Sequence, residues 1–144
     1  MSAPLYNTDI LRLAASIPHH ARLPEPHGSA ERRSPICGSR VTVDVNLGPD
    51  GRVSEVGLLV RACALGQASA SLLGAAILGR TPDELATECD AVTAWLAREG
   101  DQPEWPGLAL LTPALNYPAR HASIRLAFEA AAEAARQAAD QRVA

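Results

Sequence analysis

Arg40-Val41-Thr42-Val43-Asp44-Val45-Asn46-Leu47 is followed by Gly48-Pro49-Asp50-Gly51 and then by Arg52 to Arg61. In the first run Val41, Val43, Val45 and Leu47 alternate with Thr42, Asp44 and Asn46. Period-two alternation puts the apolar set on one face of a strand, so this run reads as half-buried. The four residues after it carry turn chemistry, and a second strand follows with Val53, Val56, Leu58 and Val60 as its apolar residues. The pair is a hairpin. Alternation slips in the second strand, and a bulge near Gly57 would account for the slip.

Working outward toward the C-terminus, Ala64 to Leu78 reads as a helix. Ala68, Leu72, Ala75, Ala76 and Gly79 give it a narrow face of small residues that permits close packing. Thr81-Pro82-Asp83-Glu84 is a capping box with proline at the first helical position. The helix it opens runs to about Glu99, with Leu85, Cys89, Val92 and Leu96 on one face. Residues 100–106 read as a polar linker and Leu108 to Leu115 as a short helix. Pro118 starts a last, alanine-rich helix whose polar end frays. Toward the N-terminus, Ile10, Leu11, Ala14 and Ile17 mark a helix over Leu5 to Ile17, ended by Pro18. Residues 19–35 are rich in Pro, Gly, His and Arg and read as a loop or irregular strand. The fold class is therefore α+β, a small antiparallel sheet with helices packed on one face.

The 144 residues suffice for one domain, residues 1–144, with a core of its own. Hydrophobic residues make up 47% and aromatics only 3%, so the core is built from Leu, Val, Ile and Ala. A net charge of −3 argues against nucleic-acid binding. No apolar run reaches the length of a membrane span, and the N-terminus lacks the apolar stretch of a secretory signal. An odd count of 3 cysteines argues against a disulfide framework. The expected setting is cytoplasmic.

Two cysteines fall where regular structure begins or ends. Cys37, in Ser34-Pro35-Ile36-Cys37-Gly38-Ser39-Arg40, precedes the first strand. Gly38 beside it leaves room for a metal or a partner's cysteine. Cys63, in Arg61-Ala62-Cys63-Ala64-Leu65-Gly66-Gln67-Ala68-Ser69-Ala70-Ser71, sits where strand gives way to helix. A thiol there faces the positive end of the helix dipole, a setting suited to a metal-binding thiolate. A buried small residue at a tight junction is the plainer reading. Cys89 shares a stripe with Leu85, Val92 and Leu96 and reads as a small core hydrophobe. His19, His20 and His27 read as solvated loop residues.

These segments resemble the iron–sulfur cluster scaffold family, the IscU/SufU/NifU N-terminal group. Cys37-Gly38-Ser39 is similar to the family's Cys-Gly-Asp, with Ser39 in place of Asp. Cys63 with Ala68-Ser69-Ala70-Ser71 matches the second cysteine and its helix. Tyr117-Pro118-Ala119-Arg120-His121-Ala122 matches the third site, with Ala122 in place of cysteine. The resemblance covers about Leu5 to Arg136. The 59 positions from Cys63 to Ala122 (122 − 63) and the Pro-Ala-Arg before His121 are nearer the SufU branch.

The resemblance implies a NifU-like scaffold rather than a turnover enzyme. It would bind iron, a 2Fe-2S cluster or zinc at Cys37, Cys63 and His121. It implies a cysteine desulfurase as partner, Cys37 as candidate persulfide acceptor, Arg120 as a stabiliser of thiolate or persulfide charge, and iron–sulfur acceptor proteins downstream. Three ligands leave one tetrahedral position open, and a cluster needs four. A scaffold that has lost its metal site and acts by binding the desulfurase is the alternative. A nucleophilic cysteine with His121 as base lacks an accompanying acid or oxyanion motif.

Overall fold

The hairpin forms where its alternation places it, and a third strand joins it from the stretch read as a loop or irregular strand. The computed structural model describes residues 6–35 and 38–143, with the last two described by backbone alone. Strand β1 (Gly28–Arg33), β2 (Arg40–Leu47) and β3 (Val53–Arg61) form an antiparallel sheet in the order β1-β2-β3. Strand β1 falls within the stretch read as irregular. It contains no β-branched or aromatic residue, so propensity does not mark it. The slip in alternation is a register shift between Asn46 and Leu47 rather than a bulge at Gly57. Asn46 faces Glu55 and Leu47 faces Val53, which leaves Ser54 as the extra residue.

Helix α1 (Thr8–Ala15) is capped by Asn7, whose Oδ1 accepts from the Ile10 amide at 3.0 Å. Helices α2 (Ala64–Ala76) and α3 (Pro82–Leu96) follow the hairpin. The expected cap on α3 is present: Thr81 Oγ1 accepts from the Glu84 amide at 3.1 Å, with Pro82 at the first position. The short helix at Leu108–Asn116 is 3₁₀ rather than α, and a second 3₁₀ turn spans Pro118–Arg120. Helix α4 (His121–Val143) therefore opens at His121 rather than at Pro118.

Helix α4 lies across β1 and β2 and against α2 and α3. Its buried Ala127, Ala130, Ala131, Ala134, Ala135 and Ala138 let these neighbours approach closely. Phe128 fills the remaining space and meets Trp105 edge to face, with ring centroids 5.3 Å apart. The Trp105 indole N–H donates to the Leu72 carbonyl at 2.8 Å, so the buried polar atom is satisfied. The helices occupy one face of the sheet, as expected.

The other face is not exposed to water. Strand β2 is buried on both sides, with Thr42 at 7% and Asp44 at 0% exposure. The cover comes from the first part of the stretch read from sequence as a loop or irregular strand. The His19 carbonyl accepts from Leu58 N at 2.9 Å and His20 Nε2 accepts from Val60 N at 3.3 Å, capping the free edge of β3. The chain then crosses Gly57, where an added Cβ would stand 2.4 Å from the Ala21 carbonyl oxygen. Arg22 Nε donates to Asp44 Oδ2 at 2.6 Å, and the Leu23 amide donates to the same oxygen at 3.0 Å. His27 Nδ1 accepts from Leu47 N at 3.1 Å. Two of the three loop histidines are thus hydrogen-bond acceptors for strand amides, and the third serves through its carbonyl.

Candidate functional site

Cys63 is the N-cap residue of α2, with extended backbone (φ −65°, ψ 171°) and no capping bond from its side chain. Its carbonyl accepts the first helical bond, from Gln67 N at 2.9 Å. The half-buried thiol is therefore not committed to the helix end. Two residues earlier, Arg61 pairs with Arg40 across the β2–β3 ladder. Gly38 lies two residues before Arg40, so the strand entry after the first cysteine segment and the strand exit before Cys63 share one end of the sheet. Gly38 has φ +73°, a left-handed conformation that favours glycine, which is reason enough for glycine at this position. Ile36 and Cys37 lie outside the described residues.

Helix α4 brings its N-terminus to the same region. A Cβ on Gly66, in the first turn of α2, would lie 3.4 Å from the Ser123 carbonyl oxygen. One turn on, Ser69 Oγ donates to the Ile124 carbonyl at 2.6 Å. The opening turns of α2 and α4 are therefore packed together, which sets the Cys63 end of one helix beside residues 121–124 of the other. His121 is 7% exposed, and its Nε2 lies 2.8 Å from the Ala114 carbonyl oxygen. A carbonyl can only accept, so Nε2 carries the hydrogen, which leaves Nδ1 as the ring nitrogen available to a ligand. An imidazole held by one ring N–H on a backbone carbonyl is oriented as metal-ligating histidines commonly are.

Ser39 is buried at 3% exposure and its carbonyl accepts from Ser34 N at 2.8 Å. Ala122 is half-buried and presents only a methyl group where a third thiol would stand. Arg120 is exposed at the end of the 3₁₀ turn. Among the described residues, no three His, Cys, Asp or Glu side chains gather into a metal-holding group. The donor chemistry nonetheless suits iron or zinc: an uncapped thiol and an oriented imidazole at adjoining helix ends, beside the strand that Cys37 leads into.

Cys89 stands apart from this end of the molecule. It packs half-buried against the core from α3. Burial first, then the charges of Glu129 and Asp90, push its thiol up to about 11. At pH 7.5 such a thiol is ionised to less than about 0.1%. Iodoacetamide is expected to label Cys89 on the order of 100-fold more slowly in the folded protein than in denaturant, because only the thiolate reacts. Peptide mapping after timed alkylation checks this; equal rates in the two states would show that Cys89 is not packed as described.

Arrangements of this kind, in which helix starts bearing Cys and His converge on one end of a three-stranded sheet, define a small α+β domain with a sulfur- and nitrogen-donor corner. Solved structures share the fold. A nitrogen-fixing NifU-like protein (N-terminal) from Brucella abortus is 38% identical, with a TM-score of 0.88 over 94% of this chain and 95% of that one. An iron–sulfur cluster assembly scaffold assigned to the SUF system of the thermophile Fervidobacterium islandicum AW-1 is 20% identical, with a TM-score of 0.83 over 91% of this chain and 96% of that one. No family model and no curated protein matches the chain. The chain belongs to the NifU-like N-terminal domain family of iron–sulfur cluster assembly scaffolds.

Proposed function

We propose that this protein is an assembly scaffold whose cargo is iron, a 2Fe-2S cluster or zinc, held at Cys37, Cys63 and His121. The supporting observation is the packing of the Cys63 end of α2 against the His121 end of α4, with His121 oriented by the Ala114 carbonyl. Sulfur arrives from a cysteine desulfurase. The Cys37 thiolate attacks the terminal sulfur of the desulfurase persulfide, so one S–S bond forms as another breaks. The desulfurase cysteine leaves as thiolate, and no net oxidation is needed. The protein is not a turnover enzyme, and its product passes to iron–sulfur acceptor proteins. With Ser39 and Ala122 at family ligand positions, Cys37, Cys63 and His121 give three donors. A cluster therefore draws its fourth ligand from a partner or a free thiol.

The same two replacements favour a second reading. A scaffold short of its aspartate and third cysteine would bind the desulfurase without holding metal. Anaerobic purification with iron, zinc and acid-labile sulfide analysis separates the two. The scaffold reading expects near-stoichiometric metal in wild type and its loss in Cys63→Ser, with sulfide distinguishing cluster from zinc. Metal-free wild type that still binds a desulfurase, with Cys37→Ser and Cys63→Ser binding equally well, would overturn it in favour of the second.

A further inference from the structure

Three arginines stand side by side across the whole sheet. Arg33 of β1 pairs with Arg40 of β2, and Arg40 pairs with Arg61 of β3. Directly paired residues point to the same face, so the three side chains leave one edge-to-edge line. At about 4.8 Å between strands, the line is roughly 10 Å long. Like charges opposite one another weaken a sheet, and here the arrangement occurs twice in succession. A single carboxylate offsets it: Glu31 lies 3.1 Å from Arg33 Nε and 3.5 Å from Arg40 Nε. Among the described residues Arg61 has no ion-pair partner. The line faces a groove of about 470 Å³, lined also by Ser34, Pro35 and Gly38.

We propose that Arg33, Arg40 and Arg61 form a binding site for a small ligand with at least two oxyanion groups, a di- or tricarboxylate or a phosphoester. The chemistry is a row of planar, permanently charged donors suited to paired carboxylate or phosphate oxygens. Concavity and volume suit a small molecule, since ligand clefts commonly enclose some 300–1,000 Å³. The roughly 10 Å row demands more than one anionic group, because a single carboxylate spans only one guanidinium fork. This proposal is independent of whether the neighbouring corner holds metal, because its residues are all arginines of the strands.

The test is calorimetric titration of the full chain, at low ionic strength, with citrate, pyrophosphate and acetate. Saturable binding of citrate or pyrophosphate, absent for acetate and weakened by added salt, is the expected result. Arg40→Gln and Arg61→Gln should each weaken it by about tenfold, the loss of one charge-assisted pair, while Arg136→Gln leaves it unchanged. Both variants should keep the wild-type circular dichroism spectrum, and Arg61→Gln should melt no lower than wild type because a like-charge contact is relieved. Binding that survives in Arg40→Gln and Arg61→Gln, or no saturable binding at all, overturns the site. A glutamate-rich peptide that binds through these arginines while both small anions fail would assign the groove to an acidic protein segment and overturn the small-ligand proposal.

Discussion

Gly28→Ala is expected to destabilise the fold by about 3 kcal/mol, near the top of the range for inserting a methyl group into packed structure. A Cβ at Gly28 would stand 1.9 Å from the Ala134 carbonyl oxygen and 2.8 Å from the Ala138 amide nitrogen. Both are backbone atoms of α4, so no side-chain rotation can make room. Either β1 lifts off the helix or α4 shifts along its length. Shifting α4 would disturb the buried alanines that also pack on β2, α2 and α3. Lifting β1 would stretch two ties that hold it: the Ser29 amide donating to Gln137 Oε1 at 3.3 Å, and the Arg32–Glu133 ion pair at 3.0 Å. For a chain of this size the loss corresponds to a fall of roughly 10 °C in melting temperature. Thermal unfolding followed by far-ultraviolet circular dichroism measures it. A melting temperature within about 2 °C of wild type would show that β1 and α4 are not in the close contact described.

The same contact explains which parts of the architecture were legible in the sequence. Strands β2 and β3 were readable because their own residues carry the pattern, with valines at alternate positions and a turn of Gly48-Pro49-Asp50-Gly51 between them. Helix α3 was readable because Thr81 and Pro82 announce its start. Strand β1 was not, since Gly28-Ser29-Ala30-Glu31-Arg32-Arg33 has no intrinsic preference for a strand. It is a strand because β2 offers it an edge to pair with and because α4, more than 100 positions away, packs over it. The line of arginines stayed hidden for the same cause: Arg33 meets Arg40 only once β1 exists. At the candidate site, Cys63 was legible because a thiol at a strand-to-helix junction is local information. The hydrogen bond that fixes the His121 ring runs to a backbone carbonyl of the preceding 3₁₀ helix, which no residue identity encodes.

Asp44 was the residue most misleading in sequence, and replacing it should be nearly as damaging as filling Gly28. In an alternating strand a polar residue reads as facing water, yet Asp44 is completely buried beneath residues 19–27. Burial opposes its ionisation. The outcome is set by the groups that oppose burial: hydrogen bonds from Arg22, from Ser29 Oγ at 2.6 Å and from the Leu23 amide, together with the charge of Arg22, hold its pKa below the usual carboxylate value. Asp44→Ala removes every acceptor at once. Breaking a fully buried pair costs about 3–5 kcal/mol, but Arg22 is half-exposed and can rehydrate, so about 2–3 kcal/mol is expected here. Amide exchange across residues 19–27 should quicken, since this clamp holds the segment over Gly57. Asp44→Asn keeps the shape and an acceptor for Leu23 N but loses the charge, so it separates electrostatics from packing. The pH dependence has a definite sign. A pKa depressed in the folded state means that ionised Asp44 stabilises the fold fully above the unfolded value of 3.8 and loses that contribution as pH falls through the lower folded value. The gap in stability between wild type and Asp44→Asn should therefore be constant from neutral pH to about pH 5 and close below about pH 4. Urea titrations of both proteins between neutral pH and pH 3 read it directly. A gap that persists unchanged at pH 3 would mean that the cost of the substitution is packing, and that the charge of Asp44 does not hold the crossing segment in place.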